Sequence, residues 1–427
     1  MSDFHDGLET RDPAQREAEL MAALPAQVRA AQAVPALRSI LQGIDPDAVR
    51  SREALAALPV TRKGELLERQ KAGRSDAGAW DPFGGFSAIG WRAMAAARPA
   101  RRVYQSPGPI YEPESARPDY WRCARALHAA GFRAGDLVHN SFSYHLTPGA
   151  WIMESGALAL GCTVFPGGVG NTELQLQAIA ELRADAYTGT PSFLRILVEK
   201  AAELGTPLGT LKKALVSGEA FPPSLRDWLA THGIQAYQAY ATADVGVIAY
   251  ETAAREGLVL DEGVIVEIVR PGTGDPVPEG EVGELVVTVL NADYPLLRFG
   301  TGDLSAVLPG RCPTGRTNVR IRGWMGRADR RADQTVKVRG MFVHPGQVAE
   351  VLRRHPQALR GRLVVEGEMA NDRMTLRVEA GPAAEGLAEA SAGTVREVTK
   401  LRADVAVCAP GSLPNDGKVI EDARRYA

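Results

Sequence analysis

The chain is expected to fold as a large, multi-subdomain N-terminal α/β domain followed by a small α+β C-terminal cap, and three features of the sequence point there. Between residues 121 and 204, stretches of apolar helical periodicity alternate with short β-rich runs, the pattern of a layered α/β domain. At 427 residues the chain exceeds what one hydrophobic core organises, so roughly two or three domains or subdomains are expected. A charged stretch almost without apolar residues, GRADRRADQ, precedes a compact αβ pattern that runs to the C-terminus, which divides the chain into residues 1–327 and 328–427.

Composition narrows the function classes. A net charge of −2 and a pI near 6.4 give no support for nucleic acid or an anionic membrane surface as a partner, so small molecules are the expected ligands. Cys123, Cys162, Cys312 and Cys408 show no paired spacing, which argues against a disulfide framework or a zinc cluster and for a reduced, cytoplasmic setting. The N-terminus MSDFHDGLETRDPAQ has neither a basic start nor an apolar stretch, and no window approaches the roughly 18 apolar residues of a membrane span. A homodimer is left open.

Residues 13–41 read as one or two amphipathic helices broken near Pro35, and residues 61–72 (TRKGELLERQKA) as a further helix without chemistry. In residues 101–113, RRVYQSPGPIYEP, a short strand gives way to Ser106, Pro107, Gly108 and Pro109 before a helix expected near Glu114. Strand, Gly-Ser turn and helix together aim backbone amides at phosphate, although the two prolines cannot donate; a rigid structural turn is the alternative.

Helices are then expected over 121–130, 149–160, 171–182 and 191–204, with strands over 136–143, 162–165 and 184–187. The loops SYHLTPG (143–149), FPGGVGN (165–171) and TGTPS (188–192) should gather on the carboxyl edge of one sheet, where open α/β folds bind ligands. Tyr144, His145, Gly167 and Gly168 are the candidate substrate walls, with His145 either a base or an aromatic wall. In IQAYQAYATADVG (234–246), Tyr237 and Tyr240 offer faces for a base, Gln238 an amide edge, and Asp244 a carboxylate for a cation. Residues 264–270 and 282–289 read as a hairpin around PGTGDPVPEGE.

Residues 294–304, YPLLRFGTGDL, form an apolar strand end with a polar tip. Leu296 and Leu297 pack, Gly300 and Gly302 free the backbone, and Arg298 and Asp303 are expected at a cleft rim. An aspartate there accepts from a ribose diol and an arginine meets a phosphate, unless the two make a simple surface pair. Near the end, Pro414, Asn415, Asp416 and Gly417 set up an irregular turn presenting Lys418 ahead of a terminal helix.

The order SGE, YATAD, RFGTGD, GRAD, KVRG and PNDGK resembles the adenylate-forming superfamily, which includes acyl- and aryl-coenzyme A ligases. The strings FSYHLTPGA, GTPSFL, VSGEAF and VRGMFVHPGQV look in particular like the phenylacetate-coenzyme A ligase family, and the likeness covers about residues 60–427. It implies the adenylate-forming enzyme fold with a mobile cap, and ATP-dependent activation of a carboxylic acid, aryl or arylacetic, with transfer to coenzyme A. ATP, Mg²⁺ and coenzyme A would be the cofactors. Ser217, Gly218, Glu219 and Ala220 match the loop along adenine, Tyr240 the stacking tyrosine with Gln238, Ala241 and Thr242 around it, and Asp303 the ribose acceptor. Asp244 matches the Mg²⁺ ligand, Arg327 the hinge arginine with Asp329 or Asp333 as pivot, Lys337, Arg339 and Gly340 the thioester-step loop, and Lys418 the catalytic lysine of adenylation.

The chain departs from the pattern in three places. The first phosphate loop, usually rich in Ser, Thr and Gly and followed by a lysine, reads QSPGPIYEP and puts Glu112 near the phosphates, which is electrostatically adverse; the metal carboxylate is an aspartate one methylene shorter than the usual glutamate; and GRADRRAD echoes itself at the hinge. Two other functions fit the same residues: adenylation with delivery to an acceptor other than coenzyme A, and a non-catalytic ligand-binding relative with a degenerate phosphate loop.

Overall fold

The computed structural model describes residues 3–75, 80–92, 94, 98–270, 273–323, 336–339, 341–343, 345–367, 372–381, 384, 386–414 and 419–424. By contact the chain divides into two compact units. One comprises residues 1–189, 200–217 and 233–328, the other residues 190–199, 218–232 and 329–427.

Two large sheets frame the first unit among the described residues. The larger has nine strands among the described residues, in the order Val307–Leu308, Arg320–Ile321, Leu258–Leu260, Gly246–Glu251, Gln235–Thr242, Lys213–Val216, Ala186–Gly189, Leu137–Asn140 and Thr163–Pro166. The last five run parallel, and the first four add on antiparallel. Parallel strands need crossovers, and helices Gly149–Ala159 and Thr172–Leu182 supply two of them. The carboxyl ends at Asn140, Pro166, Gly189, Val216 and Thr242 therefore lie along one edge, the ligand edge of an open α/β sheet. Beneath it, Trp121, Phe132, Val138, Ile152, Leu215 and Val247 share one core.

The second sheet orders Thr61–Arg62, Phe299–Ser305, Gly283–Val289 and Val264–Val269. Every residue of the last two strands is buried, Glu267, Glu284 and Thr288 included, so burial does not alternate along them. The N-terminal helix Pro13–Ala33 starts where Asp12 accepts the amide hydrogens of Ala14 and Gln15, with proline at the first helical position. Its Leu20, Leu24 and Val28 share a core with Ile265, Val287 and Phe299 of the sheet.

In the second unit, strands Asp404–Cys408, Arg373–Ala380, Ala358–Glu366 and Ile420–Asp422 form a sheet, with a hairpin of Val336–Val338 and Met341–Val343. Residues from both, and from helices Pro345–Arg353 and Leu387–Thr399, make one core that includes Val338, Val348, Leu363, Leu376, Val395 and Ile420.

Two local expectations are corrected. The helix expected near Glu114 is a strand: Arg102–Ser106 and Ile110–Glu114 pair as an antiparallel hairpin around Pro107, Gly108 and Pro109, and the next helix is Ala124–Ala129. Near the C-terminus, Ile420–Asp422 is a strand parallel to Ala358–Glu366 rather than a helix, because its apolar Ile420 completes the core. All four cysteines are free, and no helix among the described residues is long and apolar enough to cross a membrane.

Candidate active site

Strand Gln235–Thr242 slips register against Gly246–Glu251 between Tyr240 and Ala241, and a bulge of this kind re-aims a side chain. The Tyr240 hydroxyl donates to Asp303 Oδ2 at 2.8 Å. Asp303 comes from the other sheet: strand Phe299–Ser305 is buried through Thr301 and half-buried from Gly302 to Leu304. The Thr301 hydroxyl accepts the Asp303 N–H at 3.1 Å while donating to the Leu285 carbonyl at 2.9 Å. Gly302 holds φ +73°, which glycine adopts at little steric cost. An aromatic face and a carboxylate are thus fixed side by side where the two sheets meet.

Arg298, in the same run, is not at the rim. It is 2% exposed, its Nε donates to Glu267 Oε2 at 3.0 Å, and its terminal nitrogens donate to the carbonyls of Ala56, Leu58 and Gly274. A guanidinium with that many fixed acceptors ties loops to the sheet and has no role toward a ligand.

Asp244, in the turn after Thr242, is 3% exposed. Its Oδ2 accepts from Lys63 Nζ at 3.0 Å, and its buried Oδ1 has no hydrogen-bond partner among the described residues. Lys63 begins helix Lys63–Ser75, a segment whose sequence carried no sign of chemistry. Glu112, on the hairpin strand Ile110–Glu114, is wholly buried and accepts from the Ser106 hydroxyl. Burial pushes its carboxyl well above the ordinary range, the charge of Asp244 adds to this, and Lys63 opposes it.

Beside Tyr240, the buried Ser217 hydroxyl donates to the Ala239 carbonyl at 2.7 Å; in the second unit, Gly218 turns the chain with φ +85°. The Gln238 N–H donates to Glu251 at 3.2 Å, and Thr242 Oγ1 accepts the Val245 N–H at 3.3 Å. Ala241 is half-exposed.

At the far end of the ligand edge, the Tyr144 hydroxyl donates to Glu154 at 2.7 Å and accepts from Asn140 at 2.9 Å, while His145 is exposed. A lone histidine gave no clue to the buried network beneath loop 165–171. There Gln175 donates to the carbonyls of Gly168 and Gly170 at 2.9 and 2.6 Å, and its Oε1 accepts from Ser141 and faces His139 Nε2, both at 2.8 Å. A side chain at Gly167 would sit 2.7 Å from His139 Nε2, so the close approach requires glycine. Burial holds the His139 imidazole below its usual range, against the Gln175 hydrogen bond.

In the second unit, Glu219 accepts from the Ser192 hydroxyl at 2.5 Å; burial raises its carboxyl, against the pull of Ser192 and Lys337. Half-buried Lys337 has its ammonium brought down to about 8 by burial, with Glu219 opposing. Arg339 is exposed and donates to the Asp372 carbonyl at 2.9 Å; Ala220 is half-buried. Arg327, Asp329, Asp333, Gly340 and Lys418 lie outside the described residues.

Among the described residues no group of three or more His, Cys, Asp or Glu side chains could hold a metal alone. Hard oxygen donors suit Mg²⁺, which is commonly held by one or two carboxylates and completed by phosphate and water. The unpartnered Asp244 Oδ1 fits that part.

The family model for the AMP-binding enzymes matches residues 123–289. A phenylacetate-coenzyme A ligase from Aromatoleum evansii is 31% identical over 397 residues, spanning 87% of this chain and 84% of its own. A phenylacetate-coenzyme A ligase from Thermus thermophilus is 32% identical over 366 residues, spanning 81% and 77%. Among solved structures, a 2-hydroxyisobutyryl-CoA ligase in complex with 2-HIB-AMP and CoA aligns over 100% of this chain and 93% of its own with a TM-score of 0.83, at 24% identity.

Proposed function

Because the chain belongs to the AMP-binding, adenylate-forming enzymes of the phenylacetate-coenzyme A ligase family, we propose that it is a cytoplasmic ligase for an aryl or arylacetic acid, with the cleft at Tyr240 and Asp303 as its nucleotide site. One observation carries the reading: a tyrosine and an aspartate from different sheets are fixed within 2.8 Å of each other, which suits stacking on adenine beside capture of a ribose diol. Ser217 to Ala220 would lie along the base, with Gln238, Ala241 and Thr242 completing its surroundings.

In the first half-reaction a carboxylate oxygen attacks the α-phosphorus of ATP and the bond to pyrophosphate breaks. In the second the coenzyme A thiol attacks the acyl carbonyl, the bond to AMP breaks and the thiol proton is lost. Bringing a carboxylate to a triphosphate gathers negative charge, so pre-placed cations supply much of the stabilisation. Mg²⁺ held at Asp244 would neutralise phosphate charge when bound. Lys418 would bridge carboxylate and α-phosphate, and Lys337, Arg339 and Gly340 would serve the thioester step, two of them bringing cations toward an anionic coenzyme. The cap, residues 328–427, would turn about Arg327 and the following aspartates to exchange these loops. Tyr144, His145, Gly167 and Gly168 would wall the acid.

The test is pyrophosphate release over a panel of arylacetic, benzoic and short hydroxy acids, including 2-hydroxyisobutyrate, with and without coenzyme A. Acid-dependent pyrophosphate, with AMP and thioester once coenzyme A is added and the highest rates for arylacetic acids, is the expected result. If no acid elicits pyrophosphate the enzyme assignment fails, and if pyrophosphate appears but coenzyme A is never acylated the acceptor is another molecule.

A further inference from the structure

The hairpin Arg102–Ser106 and Ile110–Glu114 falls where the resemblance places the family's Ser-, Thr- and Gly-rich phosphate loop and the lysine after it, and it offers few of that loop's donors. Pro107 and Pro109 have no N–H, and the ladder pairing Ser106 with Ile110 leaves the turn just three residues long. What the hairpin brings instead is a carboxylate. Glu112 Oε1 accepts from Ser106, while Oε2 is buried without a hydrogen-bond partner among the described residues, as is Asp244 Oδ1.

A third oxygen shares this condition. The Tyr294 hydroxyl is buried and likewise unpartnered, and after burial itself the charges of Asp244 and then Glu112 act most strongly on it. Glu112 and Asp244 share the ammonium of Lys63, and two buried carboxyl groups set together are costly to ionise unless a cation joins them. A small divalent cation binds hard oxygens such as these and supplies the positive charge that lets both carboxylates ionise.

We propose that Glu112 is a second protein ligand, with Asp244, for a divalent cation of the Mg²⁺ type, and that the two hold it before nucleotide arrives, with the Tyr294 oxygen within its surroundings. This rests on the ligase reading for its purpose: the ion, rather than backbone amides and a loop lysine, would receive the pyrophosphate end of ATP. The adverse charge of Glu112 then becomes the means by which phosphate is bound.

The experiment titrates Mn²⁺ alone into the full-length chain and follows loss of the free-ion paramagnetic resonance signal. One ion per chain is expected. Loss of even an outer-shell partner weakens metal binding about 10- to 100-fold, so Glu112→Gln and Asp244→Asn should each weaken it at least about tenfold. Glu112→Gln keeps the shape and an acceptor for Ser106, and its thermal unfolding is measured alongside; Glu112→Asp, which keeps the charge, should bind more tightly than Glu112→Gln. No Mn²⁺ binding by the parent, or equal affinity in parent and Glu112→Gln, overturns the site. A chain that binds Mn²⁺ through Glu112 yet releases pyrophosphate with no acid would refute the ligase reading and leave the site standing, whereas pyrophosphate release with Mn²⁺ affinity indifferent to Glu112 would refute the site alone.

Discussion

Arg298 and Asp303 stand five residues apart in one motif and do opposite things. Their chemistry was equally legible in the sequence, since both are charged residues beside freely turning glycines. What decided between them was the tertiary supply of partners. Glu267 and the carbonyls of Ala56, Leu58 and Gly274, remote in sequence, converge on Arg298, whereas Asp303 meets Tyr240 at the half-buried end of its strand. Asp303→Ala should therefore weaken ATP binding by about 1.5–3 kcal/mol, the range for losing a hydrogen bond to a charged group, with little effect on the unfolding midpoint. Calorimetric titration of nucleotide checks this; unchanged affinity would place the ribose elsewhere. Lys63 escaped the reading because it sits in no recognisable motif, and Glu112, read only as an adverse charge near the phosphates, gains its other meaning from Asp244, which the fold brings to both.

At the scale of elements, alternating helices and strands from residue 137 to 204 were legible to within a few residues, because each strand is a short β-rich run closed by a turn residue. The hairpin at residues 102–114 was not. Ser-Pro-Gly-Pro reads equally well as a strand-to-helix turn, and only pairing of Arg102 with Glu114 through Ser106 with Ile110 settles it as a β-turn between strands. Close packing of elements was also silent in the sequence. Gly156, inside helix Gly149–Ala159, looks like a weak point, yet a Cβ there would lie 2.6 Å from Cys123 Cβ and 2.8 Å from the Ala124 nitrogen. Gly156→Val should lower the denaturant midpoint by the equivalent of about 1–3 kcal/mol through overpacking. A variant as stable as the parent would show that the two segments can separate freely.

For the molecule as a whole, six motifs in fixed order were enough to place the chain in its family, since motif order survives where individual residues drift. The two compact units were less legible: the charged stretch after Gly326 reads as a junction in the sequence alone, and nothing in residues 190–199 or 218–232 marks them as members of the second unit. Lys418 and the 337–340 loop occupy opposite ends of the small domain's sequence, so a rigid cap would offer them to one cleft in turn, each serving its own half-reaction. The most direct test of activation through an acyl-adenylate measures both half-reactions in Lys418→Ala and in a bulky substitution at Gly340. Acid-dependent exchange of pyrophosphate into ATP reports the first, and thioester formation from a synthetic acyl-adenylate the second. Lys418→Ala should lose the exchange and keep the thioester step, and the Gly340 variant should do the reverse. If folded Lys418→Ala lost both steps equally, the division of labour would be contradicted and one fixed site would have to serve the whole reaction.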